Sequence, residues 1–158
     1  MVDERSTSTW VIQGATPTKK NSPRIVRPKT RRRFVSCGSM PLVLATRTEA
    51  KVKVIPTERY LAWERHAILQ LRAQAPAGWR PLTGSEGGYN VGVVFYVSDR
   101  RKRDLTNLLS AAMDALVRGG VLADDDWTVV RAHDGSGVRL CPAGQERAEV
   151  AVRSYGAI

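Results

Sequence analysis

Asp104, Thr106 and Asn107 stand directly behind four consecutive cations, Arg100, Arg101, Lys102 and Arg103, and a second acidic group, Asp124, Asp125 and Asp126, closes the same stretch. Basic side chains attract phosphate, whereas carboxylates repel it unless a divalent cation stands between them. Both types packed into residues 99–127 therefore point to metal-assisted chemistry on a nucleic acid. Each piece has a plainer meaning when taken singly. Asp104 can cap a helix, the acidic triplet can be a solvated turn, and the cationic run can be a solvated edge. The conjunction carries the inference.

Phosphodiester cleavage needs a water made nucleophilic and a leaving oxygen stabilised while charge builds on phosphate. Magnesium held by a few carboxylates supplies both, and manganese can substitute for it. Asp104 and Asp125 are the expected metal ligands. Asp124 and Thr106 are supporting candidates, and Asn107 either positions a water or caps the helix.

The elements that must position these groups follow from pattern. Leu105, Leu108, Leu109, Ala111, Ala112, Ala115 and Leu116 recur at helical spacing and give one apolar face. Gly119-Gly120 ends that helix, because glycine enters the left-handed turn without strain. Residues 89–98, YNVGVVFYVS, are nearly all apolar and rich in Val and aromatics, so a central strand is expected to deliver the chain to the cationic run. A helix from Asp104 to Arg118 rises about 21 Å, and residues 119–125 extend at most about 20 Å. Asp104 and Asp125 thus share a site either within one subunit or across a dimer interface. Asp114 is expected to pair with Arg118 at i,i+4 on the surface.

The motif D-L-x-N-L at Asp104–Leu108, the helix containing Asp114-Ala115-Leu116, the glycine turn and the Asp124-Asp125 pair resemble the RusA family of Holliday-junction resolvases. In that family the Asp opening the helix, an Asp two residues later and the second Asp of the pair bind magnesium together. Asp104 and Asp125 match the first and third. The second position here is Thr106, and Ser110 stands where the family's pattern carries a lysine. The resemblance implies a single RusA-like domain over residues 1–158. It also implies a homodimer that binds four-way junction DNA and nicks two strands symmetrically. Two alternatives remain from the residues alone: a non-catalytic junction- or DNA-binding protein with a weakened metal site, favoured by Thr106, and a basic RNA-binding protein.

The remaining chain fits a nucleic-acid partner. Net charge is +10, and residues 1–83 hold 16 Lys and Arg against 5 Asp and Glu, so the basic field is concentrated there. Lys19, Lys20 and Asn21 lie in a loop, and Arg31, Arg32 and Arg33 are expected at the tip of a basic hairpin with arms at 24–27 and 34–36. Residues 37–55 are a possible insertion. Cys37 and Cys141 form no metal-ligand pair with His66 or His133, which excludes a zinc finger. No apolar run reaches the roughly 20 residues of a membrane span, and the first residues lack a signal core, so no membrane association and a cytoplasmic location are expected.

A helix opens at Thr57, with Tyr60, Leu61, Trp63, Ala67, Ile68 and Leu71 on its apolar side and Glu64, Arg65 and Gln70 outside. Strands are expected at 9–13, 40–46, 51–55, 127–131 and 147–153, with loops at 14–22 and 75–88 and a hairpin or loop at 133–144. The expected fold class is α/β in the α+β sense: a small mixed sheet packed against two main helices.

Overall fold

The computed structural model describes residues 7–18, 24–26, 35–37, 40–42, 53–84 and 87–155. The longest strand, β6 (Tyr89–Val97), alternates buried and half-buried residues along its length. Val91, Val93, Phe95 and Val97 face one side, where all four are buried. Next to it runs β9 (Arg147–Ser154), antiparallel, with Val93 opposite Val150 and Phe95 opposite Ala148. On the far side of β9 lies β1 (Ser8–Gln13), again antiparallel, with Trp10 opposite Val150 and Ile12 opposite Ala148. Rows of apolar side chains therefore cross three strands on one face, which is what a half-buried sheet with period-two alternation produces.

The other neighbour of β6 is built from two short pieces, β7 (Val130–Ala132) and β8 (Gly137–Leu140), both parallel to it. Between them the ladder is completed by side chains. His133 Nδ1 lies 3.0 Å from the Val91 carbonyl, and the Ser136 hydroxyl accepts the Val93 amide at 3.0 Å. The mixed five-stranded sheet is ordered β1–β9–β6–β7, with β8 also on β6. It confirms the expected α+β class.

Two helices cover the buried face. Helix α1 (Glu58–Gln74) starts at Thr57, whose hydroxyl accepts the Tyr60 amide, as its residue type suggested. Helix α2 (Leu105–Gly119) starts at Asp104 and stops at Gly120, which sits in the left-handed region at φ 79°. The helices press together where Gly119 meets Leu71: a Cβ at 119 would lie 2.9 Å from Leu71 Cδ1, so only glycine permits this approach.

Several expectations are corrected. The segment 24–26 forms β2 (Arg24–Val26) and pairs with β5 (Lys53–Ile55), while β3 (Val35–Cys37) pairs with β4 (Met40–Leu42). The arms at 24–27 and 34–36 are therefore not partners. Residues 127–129, expected as strand, form a turn, because Asp126 accepts backbone amides from Thr128, Val129 and Val130 and curls the chain there. The segment 133–144, expected as a hairpin or loop, contains β8, which pairs with β6. Glu64, expected outside, is 5% exposed. It receives Arg118 Nη1 at 2.7 Å, so Arg118 pairs with Glu64 and Asp114 instead accepts the Tyr60 hydroxyl at 2.9 Å. Burial and the neighbouring acids Asp114 and Glu64 push the Tyr60 phenol far above its ordinary range.

Candidate active site

Strand β6 ends at Val97, and the next seven residues bring the chain to Asp104 at the entrance of α2. Asp104 is held by its own helix. One carboxylate oxygen accepts the Thr106 amide at 2.9 Å and the Thr106 hydroxyl at 2.7 Å, while the other accepts the Asn107 side-chain amide at 3.0 Å. Asn107 is only 6% exposed, so this support is anchored in the core, whereas Asp104 and Thr106 face outward. A carboxylate fixed from three donors with its face open to solvent suits a hard cation that keeps most of its waters.

The same end of the sheet gathers a cavity of about 350 Å³. Its wall joins Pro17 and Thr18 after β1, Thr57 and Arg59 at the start of α1, the Ser98–Arg103 loop and Glu146 before β9. Two helix N-termini, those of α1 capped by Thr57 and of α2 capped by Asp104, open at this end and turn their positive dipole ends toward it. Arg100, Arg101 and Lys102 are exposed there. Arg103 is not equally free: its guanidinium lies 2.7 Å from Asp99, and this pairing holds the Asp99 carboxyl down at about 2. A hydrogen bond from Ser98 likewise lowers Glu146. Both acids therefore stay charged at neutral pH.

The second acidic group lies at the other end of the molecule. Ala123 donates its amide to Leu82 at 2.9 Å, and Tyr89, the first residue of β6, donates to Val129 at 2.8 Å. Asp124, Asp125 and Asp126 are thus beside the start of β6, while Asp104 follows its end. Helix α2, 15 residues and roughly 22 Å long, lies between them in the chain. Among the described residues no three acidic, histidine or cysteine side chains gather to cage a metal ion. Lys19, Lys20, Asn21, Arg31, Arg32 and Arg33 lie outside the described residues. His66 is exposed on α1, and Cys141 is a free thiol.

Comparison with known proteins decides the family. The family model described as Endodeoxyribonuclease RusA matches residues 23–153. The chain belongs to the RusA endodeoxyribonuclease family. The match contains the whole of α2, Asp104, and Asp124 to Asp126, so both acidic groups belong to the shared RusA region. Among relatives, the Crossover junction endodeoxyribonuclease RusA of Aquifex aeolicus (strain VF5) is 28% identical over 105 residues, which cover 65% of this chain and 75% of that protein. Membership in a RusA nuclease family sets aside the RNA-binding alternative. Among the described residues, no helix is long and apolar enough to cross a membrane.

Residue types alone pointed to Asp104, Asn107 and the cationic loop. They did not point to Arg59, Asp99 or Glu146, which reach the cavity from separate elements and carry no local motif. Only the topology, which brings the C-terminal ends of β1 and β6 beside two helix starts, identifies them.

Proposed function

We propose that the protein is a magnesium-dependent, structure-specific endonuclease that resolves four-way DNA junctions by paired symmetric nicks as a homodimer. The observation that carries this is the convergence, in a RusA-family chain, of Asp104, two helix N-termini and an exposed cationic loop at one sheet end. Ligands of open α/β sheets bind outside the carboxyl ends of the strands. The arrangement here offers a phosphate the amides and cations it needs, beside a carboxylate it would not approach alone.

When bound, magnesium would screen that carboxylate from phosphate and stabilise charge on the reacting phosphoryl group. Asp104 would hold it, with Thr106 and Asn107 orienting the carboxylate. Asp125, with Asp124 beside it, would supply further charge from the partner subunit, because one chain separates the two acidic groups by the length of α2. Arg101 and Lys102 would grip the flanking phosphates, and Arg100 would add to the field. Lys19, Lys20 and Asn21 continue the chain directly from Thr18 on the cavity wall, and Arg31, Arg32 and Arg33 add charge for the arms of the junction. A two-fold protein matches the two-fold symmetry of a junction and gives the paired nicks.

The test is incubation of labelled four-way junction, linear duplex and structured RNA with and without magnesium. Expected is cleavage of the junction alone, in magnesium or manganese, with Asp104→Asn and Asp125→Asn both binding the junction and failing to cut it. Binding without cleavage by the unaltered protein at every metal concentration would leave a junction-binding protein. Full cleavage by either variant would remove that aspartate from the site.

A further inference from the structure

Trp127 is the most exposed large apolar side chain among the described residues, at 69%. The other three tryptophans, Trp10, Trp63 and Trp79, are buried or half-buried. Exposure of a whole indole is costly, because apolar area of this size is normally removed from water. Here it is also firmly mounted. The Asp126 carboxylate accepts the Thr128 amide at 2.6 Å, and its carbonyl accepts Val129 and Val130 at 3.1 and 2.8 Å. Gly84 lies so close to the Thr128 carbonyl that no side chain would fit between them. Val129 and Val130 are buried at 5% and 8%, which anchors the following strand.

The Arg131 guanidinium lies 4.8 Å from the indole centroid. A planar cation over an aromatic ring, on a turn whose backbone is held, makes a flat, polarised platform. The partner chemistry follows from the neighbours. Asp124, Asp125 and Asp126 precede Trp127 directly, so a phosphate is repelled at this spot, whereas an uncharged aromatic ring is not. A nucleobase has a π-face and no charge, and stacking on tryptophan tolerates any base. Paired duplex hides its base faces, but an opened junction crossover presents them.

We propose that Trp127, backed by Arg131, is a stacking platform for an unpaired base at the branch point of junction DNA. The proposal rests on the junction-resolving reading above, and it adds a recognition role to the turn that bears the acidic group. Stacking on Trp127 would hold the branch open beside that acidic group and distinguish a junction from continuous duplex.

The experiment measures binding, without divalent metal, of a four-way junction carrying 2-aminopurine at the crossover and of a linear duplex of equal length. The unaltered protein, Trp127→Ala and Trp127→Phe are compared. Expected are quenching of 2-aminopurine by the unaltered protein, a loss of about tenfold or more in junction affinity for Trp127→Ala, and substantial recovery in Trp127→Phe. Duplex affinity should be the same for all three. Equal junction affinity for Trp127→Ala, or equal losses on junction and duplex, would overturn the platform while leaving the junction-resolving function standing. Conversion of Trp127→Ala to a monomer by light scattering would also overturn it, since the indole would then be a subunit contact. Failure of the unaltered protein to prefer junctions would overturn both proposals at once.

Discussion

Thr106 and Asn107 give Asp104 its geometry, and neither contribution is visible in charge alone. The Asn107 amide sits at 6% exposure and donates to one Asp104 oxygen at 3.0 Å. Removing it in Asn107→Ala leaves the carboxylate held only through the oxygen that Thr106 grips, while its charge stays unchanged. Expected is a loss of roughly 10–100-fold in cleavage at limiting magnesium, largely recovered at high magnesium, with junction binding unaltered. An equal loss at all magnesium concentrations would give Asn107 a direct role in the reaction. Thr106 donates its hydroxyl to the other oxygen at 2.7 Å. In Thr106→Asp that donation is replaced by repulsion between two carboxylates, which a divalent cation relieves. The variant should therefore reach half-maximal cleavage at lower magnesium and show a larger rise in Tm on magnesium addition than the unaltered protein. A Tm insensitive to magnesium in Thr106→Asp would count against a metal site at the entrance of α2.

The contact between α1 and α2 is where elements meet through polar groups, and its pH behaviour is fixed by sign. Tyr60 donates to Asp114 at 2.9 Å, and burial and the acids around it raise its pKa above the ordinary value of 10.0. A group whose folded pKa is raised contributes stability that is present below its unfolded pKa and lost as pH rises above it. Stability should fall above about pH 10, where the unfolded phenol ionises and the folded one does not. Tyr60→Phe should lose about 1 kcal/mol at neutral pH and flatten this alkaline decline, measured by urea unfolding between pH 8 and 11. An unchanged slope would mean that other groups set the alkaline limit.

At this scale the sequence was informative where pattern is local and silent where a partner is distant. The period of α2, its Asp104 and Gly120 caps, the apolar run of β6 and the alternation of β9 were all readable. Glu64 was not, since a glutamate reads as solvated and its partner Arg118 stands 54 residues away. β8 was hidden because its residues are mostly exposed and only parallel pairing to β6 makes them a strand. Gln70 also looked like a surface residue, and Gln74 carried no signal. Their side-chain oxygens instead accept the outer backbone amides of β1 at Gln13 and Val11, at 2.6 and 2.8 Å, and so close that sheet edge to a further strand.

For the whole molecule, the decisive fact is the separation of the two acidic groups to opposite ends of α2. The sequence left open whether they meet within a subunit or between two. In one chain they flank a 15-residue helix, and the proposed shared site draws Asp125 from a second copy. Subunit mixing tests this directly. If Asp104 of one protomer works with Asp125 of the other, a dimer of an Asp104→Asn chain with an Asp125→Asn chain has one site carrying both changes and one carrying neither. Each variant alone should be inactive, and the mixture should recover cleavage at one of the two strands. A statistical mixture of exchanging dimers contains about half heterodimers, so single nicks should reappear at up to about a quarter of the normal rate of strand cuts. If the site were built within one chain, every site in every dimer of the mixture would carry one change, and no activity would return. Recovery of single nicks, without paired resolution, would place Asp104 and Asp125 across the dimer interface. Continued inactivity after demonstrated subunit exchange would overturn the site shared across the interface and, with each single variant inactive, would assign both aspartates to a site built within one chain.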